Sequence, residues 1–239
     1  MRIAVVSDIH GNRTAFEAVL ADLRQISPDL VFHGGDLADA GSGPVEVVDQ
    51  IRDLGWKGVA GNTDELLATP EAFEKFASQS PKLEPLWKVV REMAVATREL
   101  LGQERLAWLR GLPLVHIHDS IAIVHASPES SWTAPATGAS DQELHSLYAP
   151  LGQPVVTYGH IHQPYVRTMA GLTVANSGSV GLPYDGDRRA SYLLIDGLNV
   201  EIRRVEYDLA KELKARRDSG IPHAGWIAKT LESGSPQMP

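Results

Sequence analysis

The sequence predicts an α/β protein, and two patterns in the distribution of its apolar residues indicate this class. In the first quarter of the chain, short apolar runs bounded by Gly, Asp or Pro alternate with longer stretches of helical periodicity, as in βαβ units. In the second half, the apolar runs become short strands separated by turn residues. Because 239 residues can bury one substantial core, we expect a single domain over residues 1–239.

The first elements are assigned from the spacing of apolar residues. The run RIAVVS is typical of a buried strand, and Phe16, Val19 and Leu23 share one face of the helix that should follow it. In chain order, we predict a strand at 2–7, a helix at 13–26, a strand at 29–34, a crossover helix at 44–54 and a strand at 56–61.

The middle and the end of the chain are predicted to be helical. Residues from about 65 to 110 have an almost entirely helical pattern, which we interpret as a helical insertion. Two further helices are expected within about 208–232, before a tail at 233–239 that we expect to be frayed. Between these regions we predict strands at 115–117, 121–125, 155–159, 165–169, 172–176, 191–196 and 199–205.

The formal net charge of −8 and the absence of cysteine exclude several classes of function. An acidic chain is not expected to bind nucleic acid or anionic membranes in general. Without cysteine, the chain has no disulfide, no zinc-thiolate site and no thiol nucleophile. We find no signal-peptide pattern and no apolar run of bilayer length, so we expect a cytoplasmic protein.

Side chains that can bind metal ions gather where the predicted strands end. In open α/β sheets, ligand sites form outside the carboxyl ends of the strands, so residues distant in sequence can converge there. A single Asp or His in a loop is more often a surface or capping group, and Asp64 would serve equally as the N-cap of the next helix. The joint placement therefore carries the prediction. The residues are Asp8, His10, Asp36, Asp39, Asn62, Asp64, His125, His160 and His162.

Five short motifs occur in a fixed order: D-x-H at 8–10, G-G-D-x-x-D at 34–39, G-N-x-D at 61–64, H-A at 125–126 and G-H-x-H at 159–162. This set resembles the motifs of the calcineurin-like metallophosphoesterases. The start SDIHGN and the stretch at 176–192 are similar to the small prokaryotic phosphodiesterase-like branch of that superfamily. The resemblance implies a four-layer αββα sandwich, in which two mixed β-sheets are flanked by helices on both outer faces.

The resemblance also implies a site for two divalent metal ions. Two such ions about 3.5 to 4 Å apart need a shared carboxylate to offset their repulsion, and imidazole with carboxylate oxygen suits Mn, Fe, Zn or Co. Residues two apart in an extended chain point the same way, so we expect one strand end to supply a histidine to each ion. The implied assignment gives Asp8, His10 and His162 to one ion, Asn62, His125 and His160 to the other, and Asp36 to the position between them.

The reaction implied by the resemblance is hydrolysis of a phosphate ester by a hydroxide between the two ions, with Asn62, Thr63, Asp64 and His125 at the catalytic centre. Many members of the family have a histidine that protonates the leaving oxygen where this sequence has Thr63. A threonine hydroxyl is too weak an acid for that role at neutral pH. Either another group donates the proton, or the leaving group needs little help; Asp64 could orient a water there or act as a cap.

Several residues have two interpretations each. Asn12 either contacts the substrate phosphate, as Asn62 is expected to, or caps the first helix. Asp39 either orients a ligating histidine or is a surface carboxylate. Trp132 either stacks on a substrate base or anchors its loop, and we favour the anchor. His33 either supports the site or is a core histidine, and we favour the core.

We therefore predict a metal-dependent hydrolase of a small phosphorylated substrate. A phosphodiesterase is favoured over a phosphomonoesterase or a protein phosphatase-like enzyme. A hypothesis from a different class is a binding scaffold that keeps the fold with little turnover. The complete set of seven ligand candidates favours the enzyme, whereas Thr63 in place of a histidine favours the scaffold.

Overall fold

Two mixed five-stranded β-sheets form the centre of the protein in a computed structural model that describes residues 1–239. The strands are β1 (Arg2–Val6), β2 (Leu30–His33), β3 (Lys57–Gly58), β4 (Val115–His118), β5 (Ile121–Val124), β6 (Val155–Tyr158), β7 (Tyr165–Met169), β8 (Leu172–Asn176), β9 (Ala190–Asp196) and β10 (Asn199–Val205). The α-helices are α1 (Arg13–Ile26), α2 (Pro44–Asp53), α3 (Asn62–Ala68), α4 (Pro70–Ala77), α5 (Glu84–Arg110), α6 (Asp141–Tyr148), α7 (Leu209–Asp218) and α8 (Ala224–Ser233).

Each sheet contains three parallel strands whose carboxyl ends lie at one edge. The first sheet has the order β10-β9-β1-β2-β3, in which β1, β2 and β3 are parallel and β9 is antiparallel to both of its neighbours. The second sheet has the order β4-β5-β6-β8-β7, in which β5, β6 and β8 are parallel and the edge strands β4 and β7 are antiparallel. Loops that leave the parallel strands at these ends can therefore meet.

Alternate side chains of the strands pack in opposite directions, and this creates the layers. In β1, Ile3 and Val5 belong to the core between the two sheets, together with Ile123 of β5. Ala4 and Val6 belong to a different core, which the buried faces of α1 and α2 complete. The apolar run RIAVV is continuous because both faces of β1 are covered.

Helix α6 covers the outer face of the second sheet, where its Leu144 and Tyr148 pack with Val124. This helix was not predicted, although Ser140 and Glu143 form a capping box at its start. With α1 and α2 on the other side, α6 completes the four-layer αββα sandwich. The predicted fold class is thus confirmed.

The stretch predicted as helical contains three separate α-helices, α3, α4 and α5. Helix α5 is interrupted at Gly102, whose φ of 67° lies in the left-handed region. Helix α3 begins soon after β3, so its first residues lie near the carboxyl ends of the first sheet. The polar residues at its start, Asn62 and Asp64, are thereby brought towards the loops after β1 and β2.

Helix α7 is bound to the start of α1 and to the loop that follows β2. The buried Arg216 donates a hydrogen bond of 2.6 Å to the carbonyl oxygen of Ala40. The buried Glu212 accepts hydrogen bonds from the backbone amides of Thr14 (3.3 Å) and Ser42 (3.2 Å). Because a buried charge is costly unless it is hydrogen-bonded, these contacts fix α7 against both α1 and the loop after β2.

The chain after Ser233 has no regular secondary structure, although the backbone oxygen of Gln237 accepts a hydrogen bond of 2.8 Å from the Trp226 side chain. None of the helices is both long enough and apolar enough to cross a membrane. The single-domain organisation stays a prediction.

Candidate metal centre

Four buried side chains, Asp8, His10, Asp36 and His162, lie close enough together to share one metal ion. Their ligand atoms are all within 4.8 Å of one another. The Nε2 atoms of His10 and His162 are 3.1 Å apart, and Nε2 of His162 lies 3.0 Å from Oδ1 of Asp8. Carboxylate oxygens and imidazole nitrogens that converge in this way could hold a divalent cation.

A second group lies on the other side of Asp36. The side-chain oxygen of Asn62 is 3.0 Å from Nε2 of His125 and 2.8 Å from Nδ1 of His160. The Oδ2 atom of Asp36 is 3.5 Å from Nε2 of His125 and also 3.5 Å from Nε2 of His10. One carboxylate oxygen thus stands equally far from a histidine of each group, as a shared ligand would.

Five of the candidate ligands share an unusual backbone conformation. Asp8, His10, Asp36, His160 and His162 all have a left-handed φ, between 51° and 65°. Residues other than glycine rarely adopt this conformation, and it is held only where the surrounding structure fixes it. The clustering of this strain in the candidate ligands indicates a functional site.

Hydrogen bonds to backbone carbonyl oxygens orient three of the histidines. Because a carbonyl oxygen can only accept, the Nδ1 atom of each ring must be the donor, and the Nε2 lone pair is left for the centre of the cluster. The pairs are His10 with the oxygen of Asp39 (3.2 Å), His125 with that of Gly34 (2.8 Å) and His162 with that of Leu182 (2.6 Å).

The expected geometry of His160 and His162 is wrong, although each approaches a different group. Strand β6 ends at Tyr158, and both histidines have left-handed φ values, so they do not alternate along an extended chain. Gly159 is required for close approach, since a Cβ atom there would lie 2.2 Å from Oδ2 of Asp8. The loop after β6 therefore passes directly over Asp8, which positions the two rings on either side.

Asp64 supports the loop that carries Asp36. Asp64 caps α3, as one of its two interpretations predicted, but it does so from the third helical position, because the N-cap residue itself is Gly61. The carboxylate of Asp64 accepts hydrogen bonds from the backbone amides of Asp36 (2.8 Å), Leu37 (2.9 Å) and Gly61 (2.9 Å). Burial and the nearby charge of Asp36 raise the pKa of Asp64 to about 7.

Asn12 makes hydrogen bonds to other parts of the protein through both atoms of its side-chain amide. The side-chain oxygen of Asn12 accepts a hydrogen bond of 2.9 Å from the amide of Ala15 and caps α1, and its nitrogen donates to the oxygen of Gly181 at 3.0 Å. Contact between Asn12 and a substrate stays a prediction.

Asp39 is buried, and its backbone oxygen accepts a hydrogen bond from His10, whereas its carboxylate accepts one from Thr97. Burial raises the pKa of the Asp39 carboxyl to about 6.

Two of the candidate histidines are neutral at neutral pH, as metal ligands must be, whereas a third is protonated. Burial lowers the pKa values of His10 and His160 to about 4, so both rings are neutral at neutral pH. Burial also opposes a charge on His125, but attraction to Asp36 outweighs it and raises the pKa of His125 to about 10. The same attraction holds the pKa of Asp36 below its usual range despite burial. A divalent cation beside Asp36 would displace the His125 proton.

Thr63 lines a cavity beside the two groups, and the wall of this cavity also includes His10, Asn62 and His160. Its backbone amide donates a hydrogen bond of 2.8 Å to Oδ1 of Asp36. Its hydroxyl is buried and has no hydrogen-bond partner. Buried polar atoms without a partner are uncommon, and one beside a candidate site indicates a group that a ligand could satisfy.

Trp132 anchors its loop, as predicted. Its ring nitrogen donates a hydrogen bond of 2.7 Å to Glu65, and its ring lies 4.8 Å from that of Phe76.

Two other residues that contact the candidate ligands were not predicted. The hydroxyl of Ser7 donates to the Asp8 carboxylate, and the ring of Tyr184 stacks on His162 at 4.3 Å. The available signals were the position of Ser7 beside Asp8 and that of Tyr184 within the stretch at 176–192.

Comparisons with known proteins found matches over most of the chain. Residues 1–199 match the family model for the calcineurin-like phosphoesterase superfamily domain. An uncharacterized protein of Methanocaldococcus jannaschii is 30% identical over 256 residues, which cover 97% of this chain and 98% of that protein. The crystal structure of a metallophosphoesterase from Sphaerobacter thermophilus superposes with a TM-score of 0.79 at 27% identity, over 98% of this chain and 100% of that one. A protein of Aromatoleum aromaticum named symmetrical bis(5'-nucleosyl)-tetraphosphatase is 30% identical over 151 residues, or 62% of this chain and 52% of that protein.

Proposed function

This chain belongs to the calcineurin-like phosphoesterase superfamily, as its motifs predicted, and we propose that it hydrolyses phosphodiesters with two divalent metal ions held around Asp36. The observation that carries the proposal is the position of Oδ2 of Asp36, 3.5 Å from Nε2 of both His10 and His125. A carboxylate in that place can face two cations at once and offset their repulsion.

The donor set fits two such ions. Asp8, His10 and His162 would hold one, and Asn62, His125 and His160 the other. Oxygen and imidazole donors without sulfur suit Mn, Fe, Zn or Co. Bound there, the ions would supply an activated water for attack on phosphorus and positive charge for the phosphate oxygens.

The protein's own residues would keep this arrangement fixed. The carbonyl oxygens of Gly34, Asp39 and Leu182 orient the histidine rings, so little reorganisation is needed when a substrate binds. The carboxylate of Asp64 fixes the loop of Asp36. The hydroxyl of Thr63 is too weak an acid to protonate a leaving oxygen at neutral pH.

The charge of the adjoining cavity supports a diester over a monoester. None of the residues that line this cavity is Lys or Arg, and Asp39 contributes a carboxyl group. A diester carries one negative charge, whereas a monoester carries up to two. No Lys or Arg side chain lies in this lining to neutralise the second charge of a monoester. For the same reason, a dinucleoside tetraphosphate, named for the Aromatoleum relative, is a less suitable substrate here.

The test is metal-dependent hydrolysis of matched nitrophenyl monoesters and diesters by the wild type, Asp36→Asn and the exposed control Asp53→Asn. We expect diester hydrolysis that requires added metal, two ions per chain by elemental analysis, and a loss of at least about 100-fold in Asp36→Asn alone. Activity independent of metal, or full metal content and activity in folded Asp36→Asn, would refute the proposal. A preference for monoesters would reject the diester assignment.

A further inference from the structure

A cavity of 270 Å³ lies directly against the candidate metal centre. His10, Asn62 and His160, from both groups of candidate ligands, form part of its wall. Thr63, with its unpartnered hydroxyl, lies at the same boundary. A phosphate held by the metal centre would therefore place one of its ester substituents at the mouth of this cavity.

Aromatic side chains from separate parts of the chain form the remaining walls. They come from α4, α5, α8, the loop after β5 and the segment after β8. Phe76 is in contact with Trp132 at 4.8 Å and with Trp87 at 5.9 Å between ring centroids, which gives the wall a defined shape. Aromatic faces of this kind bind flat apolar groups by burial and offset stacking. The six rings are Phe73, Phe76, Trp87, Trp132, Tyr184 and Trp226.

The polarity and size of the cavity limit the chemical groups that it can bind. Twelve of its eighteen lining residues are hydrophobic, and none is Lys or Arg. A further phosphate would find no cation there, and its desolvation would be uncompensated. The volume of 270 Å³ lies just below the range of about 300 to 1,000 Å³ for pockets that hold drug-sized ligands. One ring system fits this space better than two nucleosides do.

We propose that this aromatic cavity selects substrates in which an uncharged, flat aromatic group is joined to the reacting phosphate. The inference rests on the proposed function, because the metal centre must hold the phosphate for the substituent to reach the cavity. It deepens that function by naming the substrate class. In this arrangement Phe76 and Trp132 are positioned to determine specificity.

The test compares methyl(phenyl)phosphinate with dimethylphosphinate, which both carry the single negative charge of a diester and have only carbon–phosphorus bonds that an esterase does not cleave. Dissociation constants would be measured by calorimetry on protein loaded with Mn²⁺. Burial of the phenyl ring should make methyl(phenyl)phosphinate bind about 10-fold or more tightly than dimethylphosphinate. Phe76→Leu and Trp132→Leu should each reduce this preference, while the affinity for dimethylphosphinate stays unchanged. Trp56→Leu is the matched control, because Trp56 packs against Phe16 outside the cavity.

The possible outcomes distinguish failure of the cavity assignment from failure of the proposed metal-centre function. Equal affinity of the wild type for both phosphinates would overturn the cavity assignment and leave the metal centre intact. A phenyl preference that survives in both folded variants would overturn it as well, since the ring would then bind elsewhere. Failure of both phosphinates to bind would refute the metal-centre function, and this inference with it.

Discussion

The carboxylate of Asp64 accepts a hydrogen bond of 2.8 Å from the backbone amide of Asp36. The same carboxylate accepts hydrogen bonds from Leu37 and Gly61, so the first turn of α3 holds the loop after β2. Asp36 has a left-handed φ of 54°, which an unsupported loop would not keep. The position of Asp36, the proposed shared ligand, therefore depends on Asp64, which is not itself a candidate metal ligand.

Replacing Asp64 by Asn should weaken metal binding without removing a candidate ligand. The amide group would turn an N–H donor towards backbone amides, and a buried donor would lose its partner. We expect the free energy of unfolding to fall by about 1 to 3 kcal/mol and metal affinity to fall about 10- to 100-fold. Urea unfolding and metal titration would measure both, with Asp53→Asn as the control. Unchanged metal affinity would contradict the supporting role.

Replacing His160 and His162 singly should affect different ions. His160 contacts Asn62, whereas His162 contacts Asp8 and His10. We expect His160→Ala to lose the ion beside His125 and His162→Ala to lose the ion beside Asp8, and both variants to lose activity. Anomalous scattering from crystals of each variant would locate the ion that remains. Loss of the same ion from both variants would contradict the assignment.

Replacing Thr63 by His should supply a missing proton donor. Without an acid, the rate should depend steeply on the pKa of the leaving group, because that group must carry the developing charge alone. Thr63→His should then accelerate alkyl esters by up to about 10² to 10⁴-fold and nitrophenyl esters much less. The measurement is a rate series over esters of graded leaving-group pKa, at verified metal content. A shallow dependence in the wild type, unchanged in the variant, would show that another group already donates the proton.

The sequence predicted the candidate site through residue types at strand ends, but part of that site has no such signature. Asp8, Asp36 and His125 could be recognised because each follows a buried apolar run. The carbonyl oxygens of Gly34 and Leu182 that orient His125 and His162 could not, because every residue has a carbonyl group. The histidine pair after β6 was assigned to different ions for the wrong reason, since the backbone there is not extended.

The fold, too, could be predicted from the sequence only in part. The alternation of Ile3 and Val5 with Ala4 and Val6 is expected for a strand covered on both faces, and the first strands and helices follow from such runs. Helix α6 was missed because its 8 residues follow a Ser- and Pro-rich loop and offer only two buried positions, Leu144 and Tyr148. Short helices give a weak periodic signal, and the capping residues are then the better indicator.

His33 should make the protein less stable in acid. It is fully buried, neither ring nitrogen has a hydrogen-bond partner, and burial lowers its pKa from 6.5 to about 3. Between these pH values the unfolded chain binds a proton at His33 that the folded protein does not, so stability falls as the pH decreases. The loss is about 1.4 kcal/mol per pH unit, or about 2 to 3 kcal/mol by pH 4.5.

His33→Leu removes the titrating ring and should lose correspondingly less stability between pH 7 and pH 4.5. Urea unfolding of both metal-free proteins at the two pH values would measure the difference, because the remaining groups titrate alike in each. An identical loss of stability in the variant and the wild type would contradict this account.

The most direct test of the central claim is an anomalous difference map from crystals of the wild type grown with Mn²⁺. The account predicts two peaks per chain about 3.5 to 4 Å apart, with the Asp36 carboxylate between them. One peak should lie beside Asp8, His10 and His162, and the other beside Asn62, His125 and His160. A single peak at saturating metal, or two peaks with Asp36 in contact with only one of them, would contradict a shared dinuclear centre.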